Sequence, residues 1–110
     1  EFATAVQYAA PIVALVVNNG MYGTIRMHQE RAYPGRVFGT ALGNPDFAAY
    51  ARAFGGHGET VERTAEFAPA FERARASGKP ALIELRIDPD AITTTSTLSG
   101  IRGAALARKK

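Results

Sequence analysis

Cysteine is absent from the 110 residues, which excludes disulfide scaffolds, thiolate zinc sites and cysteine nucleophiles. Long apolar runs are missing as well. The longest, Ile12 to Val17, has six residues, far short of the roughly 20 that cross a bilayer. No basic-then-apolar leader opens the chain, so no secretory signal is expected and a cytoplasmic protein is the default. Acidic groups are missing from the last nine residues, where Arg102, Arg108, Lys109 and Lys110 gather. The net charge of +3 comes from that tail, because the rest of the chain carries nine basic against ten acidic groups. Nucleic-acid binding needs a basic stripe interleaved with aromatics, and this pattern is the expectation for a solvated terminus instead. Neither a nucleic acid nor a membrane is an expected partner.

The remaining composition is that of a globular domain, with 46% hydrophobic and 21% charged residues. A chain of this length buries roughly two-thirds of its unfolded surface, enough for one core. Phe2, Ala5, Val6 and Ala9 fall at helical spacing, with no capping residue ahead of them and no initial methionine. That opening is expected of a piece of a longer polypeptide.

Pro11 stops this first helix, and Ile12-Val13-Ala14-Leu15-Val16-Val17 follows as a strand. Its β-branched, non-alternating character predicts cover on both faces, as in a parallel sheet. A helix is predicted from Tyr22 to about Tyr33, with Tyr22, Ile25 and Gln29 on one face and Arg26, Glu30 and Arg31 elsewhere. Arg36 to Gly43 is a predicted loop. Asn44-Pro45-Asp46 marks the next helix, with Asn44 as cap and Pro45 at its first position. Gly55-Gly56 ends that helix, and His57 to Val61 is a short strand. Thr64 is predicted to cap a helix that carries Phe67, Phe71 and Ala74 inward. Ala81 to Ile87 is a third strand, and the alternation with Glu84 and Arg86 predicts a partly wet face at a sheet edge. Beyond Asp90 no apolar period is evident. The fold class is α/β: a truncated three-layer domain with a mainly parallel sheet of about three strands and flanking helices.

One constellation carries chemistry: Val17-Asn18-Asn19-Gly20-Met21-Tyr22-Gly23, where a buried strand runs out and a helix begins. Ligands collect beyond the carboxyl ends of parallel strands, and helix N-termini suit phosphate. Gly20 and Gly23 would let backbone approach a ligand closely. An asparagine amide oxygen with a loop carbonyl is a hard-oxygen set that Mg²⁺ accepts beside phosphates. The same Asn-Gly dipeptide is also a strong signal for a hairpin turn, in which Met21 onward would be a return strand. His28 and His57 lack a carboxylate at ligand spacing and make no metal site. His57 reads as structural, and His28 as a surface helix histidine or one facing a substrate pocket.

The series Val17-Asn18-Asn19-Gly20-Met21-Tyr22-Gly23, Gly23-Thr24-Ile25-Arg26, Asn44-Pro45-Asp46-Phe47, Ala53-Phe54-Gly55 and Pro80-Ala81-Leu82-Ile83-Glu84-Leu85 resembles thiamine diphosphate-dependent enzymes of the acetolactate synthase and pyruvate decarboxylase type. It is similar to the second half of their cofactor fingerprint, which begins with Gly-Asp-Gly and ends in Asn-Asn. The resemblance covers about residues 1–90, as the C-terminal portion of a cofactor-binding domain, and leaves 91–110 as an irregular basic tail. It implies that Asn19 binds Mg²⁺ through its side-chain oxygen and Met21 through its backbone carbonyl. Gly20, Tyr22 and Gly23 would lie along the diphosphate, with Asn18 bracing the loop. The Gly-Asp-Gly half, its metal-binding carboxylate and the glutamate that activates the cofactor are not in these residues, so no catalytic residue is assigned.

His28 stands where many acetolactate synthases carry tryptophan, and Ile25 where pyruvate decarboxylases carry an acid; neither reaction is assigned. The implied parent is a lyase or transferase that makes or breaks a bond beside a carbonyl, with 2-oxo acids or related compounds as substrates. The chain alone is expected to be inactive, to bind cofactor weakly and to form a homo-oligomer. Its implied partners are the remaining domains of the parent. The competing class is a non-enzymatic α/β module that binds a partner or another nucleotide.

Overall fold

A computed structural model describes residues 1–108: α1 (Phe2–Gln7), β1 (Val13–Asn18), α2 (Gly23–Ala32), α3 (Phe47–Ala53), β2 (His57–Val61), α4 (Thr64–Ala76), β3 (Ala81–Arg86) and α5 (Leu98–Arg108). The chain makes two compact units. One is Glu1–Asn18 with Asn44–Arg86; the other is Asn19–Gly43 with the described chain from Ile87. No helix among the described residues is long and apolar enough to cross a membrane.

The first unit is built on a parallel sheet of order β1-β3-β2. Val13 to Asn18 run opposite Ala81 to Arg86, and His57 to Val61 opposite Ala81 to Leu85. Strands paired this way need helical crossovers, and helices pack on both faces of the sheet, but the expected cover on both sides of β1 is incomplete, since Leu15 and Val17 are exposed. On one face Ala81 and Ile83 pack with Val61 and with Ala70 and Ala74 of α4, joined by Phe67 and Phe71. On the other, Leu82 meets Phe2 of α1 and Ala51 of α3, with Val6, Ala14, Val16 and Phe47 around them. These are the three layers that the α/β pattern predicts.

The third strand is the centre of the sheet and not its edge. Glu84 is buried, and its polarity is met from inside. It accepts hydrogen bonds from Asn18 Nδ2 at 2.7 Å, Thr60 Oγ1 at 3.1 Å and Arg86 Nε at 3.4 Å. Arg86 then turns to Glu62, at 2.9 Å. An alternation that reads as a wet face is therefore a buried polar group with its partners supplied, the usual condition for polar burial.

Two helix starts also differ from expectation. Asp46, not Asn44, caps α3, its Oδ1 accepting from the Ala49 N–H at 2.9 Å. Asn44 instead donates to Asn18 Oδ1 at 2.8 Å. At α4 the N-cap is Arg63, and Thr64 is the first helical residue. Glu66 reaches back to accept from the N–H groups of Glu62 and Arg63 at 3.0 and 3.2 Å, so a first-turn carboxylate ties down the chain entering the helix, and Thr64 is not its cap.

The second unit holds the largest departure. The segment after Asp90 is not irregular throughout: after a loop over 91–97 it forms α5 over Leu98–Arg108, while Lys109 and Lys110 lie outside the described residues. Leu98 and Ala105 of α5 are buried, and Arg102, on the same face, meets buried Glu30 of α2 at 2.6 and 2.8 Å. A charged residue in the middle of the packing face removes the apolar period that would have announced the helix. Glu30, expected on a polar face, is for the same reason the buried residue of α2.

Close packing also leaves a testable mark on β2. A Cβ added at Gly58 would run into the backbone carbonyl of Ala48 in α3. Gly58→Ala is expected to destabilise the chain by about 1–3 kcal/mol or more. Gly43→Ala, where a Cβ meets nothing within 4 Å, should stay within about 0.5 kcal/mol. Urea unfolding of both variants checks the contrast.

Candidate functional site

β1 ends at Asn18, whose side chain is fixed at both ends by Glu84 and Asn44. Both of these partners lie in the first unit with Asn18 itself. The next five residues, Asn19 to Gly23, lie together in the second unit. They include every residue assigned to cofactor or metal.

Asn19 Oδ1 accepts from the Met21 N–H at 3.2 Å, a side-chain turn that curls the loop over Gly20. Gly20 has φ of +69°, in the left-handed region that glycine enters without strain. The chain then does not double back as a hairpin. Met21 pairs across an isolated antiparallel bridge with Ala41, Tyr22 N–H donates to Thr40 O, and Leu42 N–H donates to Gly20 O. From Gly23 the chain is helical. The hairpin alternative is thereby removed.

Helix α2 opens with Tyr22 as N-cap and without a side-chain cap. Its internal ladder starts with Arg26 N–H donating to Tyr22 O at 2.9 Å. The N–H groups of Gly23, Thr24 and Ile25 therefore stand outside the ladder and point from the helix start. The Met21 carbonyl precedes the N-cap and lies outside the ladder too. The Tyr22 side chain is about half exposed, at 52%. Gly23 is the tightest point of the turn. A Cβ there would lie 2.8 Å from Asn19 Nδ2 and 2.9 Å from Ile92 Cδ1.

These features suit a diphosphate with a bound divalent cation. The Asn19 amide oxygen uses one acceptor direction on Met21, and an amide oxygen has two. Uncapped helical N–H groups suit phosphate oxygens. Among the described residues no group of three or more His, Cys, Asp or Glu could hold a metal, so what this turn itself can offer a cation is neutral oxygen. His28 is exposed. His57 Nε2 lies 2.9 Å from Glu59 Oε2, at the foot of β2. Burial works against ionisation of Glu59, but hydrogen bonds from His57 and Arg73 outweigh it and hold its carboxyl below the usual value.

Sequence reasoning missed Ile92, Glu30 and Arg102, which together determine the surroundings of α2. Glu30 accepts from Arg26 Nη2 at 2.8 Å, from the Gly35 N–H at 2.9 Å and from Arg102. The Arg102 hydrogen bond, opposed by burial and supported by Gly35 and Arg26, lowers its carboxyl from 4.5 to about 2. The available signal was an acid and an arginine four apart, Arg26 and Glu30, on one helix face.

The chain matches the family described as thiamine pyrophosphate enzyme, C-terminal TPP binding domain, over residues 1–85. It is similar to the acetolactate synthase large subunit IlvG of Mycobacterium tuberculosis, 37% identical over 89 residues, covering 81% of this chain and 16% of that protein. It is similar to a putative thiamine pyrophosphate-containing protein, YdaP, of Bacillus subtilis, 35% identical over 88 residues, or 79% and 15%. A sulfoacetaldehyde acetyltransferase of Castellaniella defragrans is 32% identical over 74 residues, or 67% and 12%. The chain spans about one-sixth of the length of the first of these relatives.

A carboxylate lowered on folding makes stability depend on pH. Glu30's contribution is fully present above about 4.5 and is lost as pH falls toward about 2. Denaturant unfolding between pH 6 and pH 3 is expected to show this loss, with smaller parts from Glu59, Glu66 and Asp90, whose carboxyls are also lowered. Glu30→Gln should flatten the slope and cost about 3–5 kcal/mol near neutrality, because it leaves Arg26 and Arg102 short of a partner.

Proposed function

We propose, for a chain that belongs to this thiamine pyrophosphate-binding family, that the turn Asn19–Gly23 holds the diphosphate end of thiamine diphosphate together with Mg²⁺. Asn19 supplies its side-chain oxygen and Met21 its backbone carbonyl to the cation. Gly20, Tyr22 and Gly23 present backbone to the diphosphate. The observation that carries this reading is the start of α2: three N–H groups with no side-chain cap, directly after a turn with the Asn19 amide oxygen at its base. Positive helix-end potential, free donors and a hard oxygen are what a metal-bound diphosphate recognises.

Bound thiamine diphosphate supplies the nucleophile and the electron sink for making or breaking a bond beside a carbonyl. The part of this chain is placement. Its residues bind and orient the phosphate end, and none of them is assigned a proton-transfer step. The whole protein is then a thiamine diphosphate-dependent, cytoplasmic lyase or transferase of acetolactate synthase-like type, acting on 2-oxo acids or related carbonyl compounds. Its other domains complete the site, and the chain by itself is inactive.

Neutral ligands offset the charge of Mg²⁺ less well than a carboxylate does. Calorimetry on the chain with thiamine diphosphate and Mg²⁺ should therefore give binding weaker than about micromolar, and Asn19→Ala should weaken it by about tenfold or more. Micromolar affinity contradicts the expected weakness of the isolated chain, and affinity unchanged by Asn19→Ala contradicts the assignment.

The sheet also leaves β1 paired on one side, with β3, among the described residues. Leu15 and Val17 share a face with Val13 by strand alternation and are 46% and 61% exposed. An apolar edge strand invites pairing with another chain, so the chain is expected to form a homo-oligomer. Light scattering should return at least twice the monomer mass. A monomer at high concentration contradicts this.

A further inference from the structure

We propose that the C-terminal segment, Ile87 to Arg108, is a positioning element for the Asn19 side chain, acting through Ile92 and Arg102. The inference rests on the cofactor reading of Asn19 and adds to it residues beyond the matched region, which ends at residue 85.

The contact begins at Gly23, where the Asn19 amide and the Ile92 methyl end lie against the same bare Cα, each within 2.9 Å of where a Cβ would stand. The Asn19 amide is thereby enclosed. Its oxygen is held by the Met21 N–H, its nitrogen end lies against Gly23, and Ile92 occupies the adjoining space. Rotating the amide away would require Ile92 to move.

Ile92 is itself held. It lies in a tight loop closed by the Ala91–Thr97 bridge, with the Ile92 and Thr93 N–H groups donating to Ser96 O at 3.4 and 3.2 Å. The base of that loop is tied to the start of α5 by Asp90, which accepts from the Ser99 N–H at 2.9 Å and from Ser99 Oγ at 2.7 Å. The helix α5 is in turn fastened by Arg102 to Glu30, on the same helix that begins at Gly23. Met21 and Arg26 also share a cleft with Pro89, Asp90, Leu98 and Arg102. The segment therefore touches α2 at its first residue and again two turns later. Contacts at two points fix both its position and its orientation along α2.

The test uses the chain itself, first without any ligand. Ile92→Ala is expected to shift and broaden the Asn19 side-chain amide resonances and to speed hydrogen exchange at the Met21 N–H by about tenfold. Ile92→Leu should restore both. Arg102→Ala should produce the same signature from a distance, Arg102→Lys a weaker one, and Arg108→Ala none. If Arg102→Ala fails to fold, Ile92→Ala, which leaves the ion pair intact, still decides.

A second arm adds thiamine diphosphate and Mg²⁺, where Ile92→Ala should weaken affinity about threefold to tenfold and Ile92→Leu should recover it. Asn19 resonances unmoved in a folded Ile92→Ala chain overturn the proposal. Resonances that move with Ile92→Ala, in a chain whose cofactor affinity is indifferent to Asn19→Ala, uphold the positioning and overturn the cofactor reading instead.

Discussion

The carboxyl group of Glu84 stands between all three strands and ties their C-terminal halves together. It sits on the central strand opposite Val16 and Thr60, and takes hydrogen bonds from Asn18 on β1 and Thr60 on β2. A buried acceptor left without partners would cost about 1–3 kcal/mol. The register that satisfies it is therefore strongly preferred over one shifted by a residue, which would also turn every side chain to the wrong face. Because Asn18 is one of its donors, the same bond fixes the direction in which β1 ends.

The second unit relies on a comparable device. Where two helices would ordinarily meet through an apolar stripe, α2 and α5 meet through Glu30 and Arg102, with Leu98 and Ala105 beside them. Buried ion pairs contribute less net stability than apolar packing of the same volume, because both charges lose their water. What they supply is directionality: a bidentate arginine fork accepts one orientation of its carboxylate. That property suits an element whose role is to hold Ile92 at a fixed place against Gly23.

Much of this was legible in the chain. The run of β-branched residues before Asn18, the glycine and proline punctuation and the helix spacing around Phe67 and Phe71 sufficed for an α/β domain with a parallel sheet. The strand end at Asn18-Asn19-Gly20 could be located, but its Asn-Gly pair fitted a hairpin as well as a strand-to-helix turn, and the resemblance was needed to prefer the second. What could not be read were positions where a polar residue is buried with a distant partner. Glu84 looks solvent-facing until Asn18, 66 residues earlier, is known to reach it. Arg102 looks like part of a charged tail until Glu30, 72 residues earlier, is seen beneath it. Asn44 and Asp46 are both good caps, and the choice of Asp46 follows from a tertiary bond between Asn44 and Asn18. Local propensity cannot see such pairs, because their energies come from tertiary contacts.

A metal-bound diphosphate seated in the turn after β1 would place a divalent cation beside Asn19. Nuclear magnetic resonance with Mn²⁺ replacing Mg²⁺, in excess thiamine diphosphate, tests it directly, since a paramagnetic ion broadens the signals of nuclei near it. Broadening is expected first on the Asn19 side-chain amide and the backbone N–H groups of Gly20 to Gly23, and only when the cofactor is present. Broadening centred elsewhere in the chain, with these signals sharp, would contradict it.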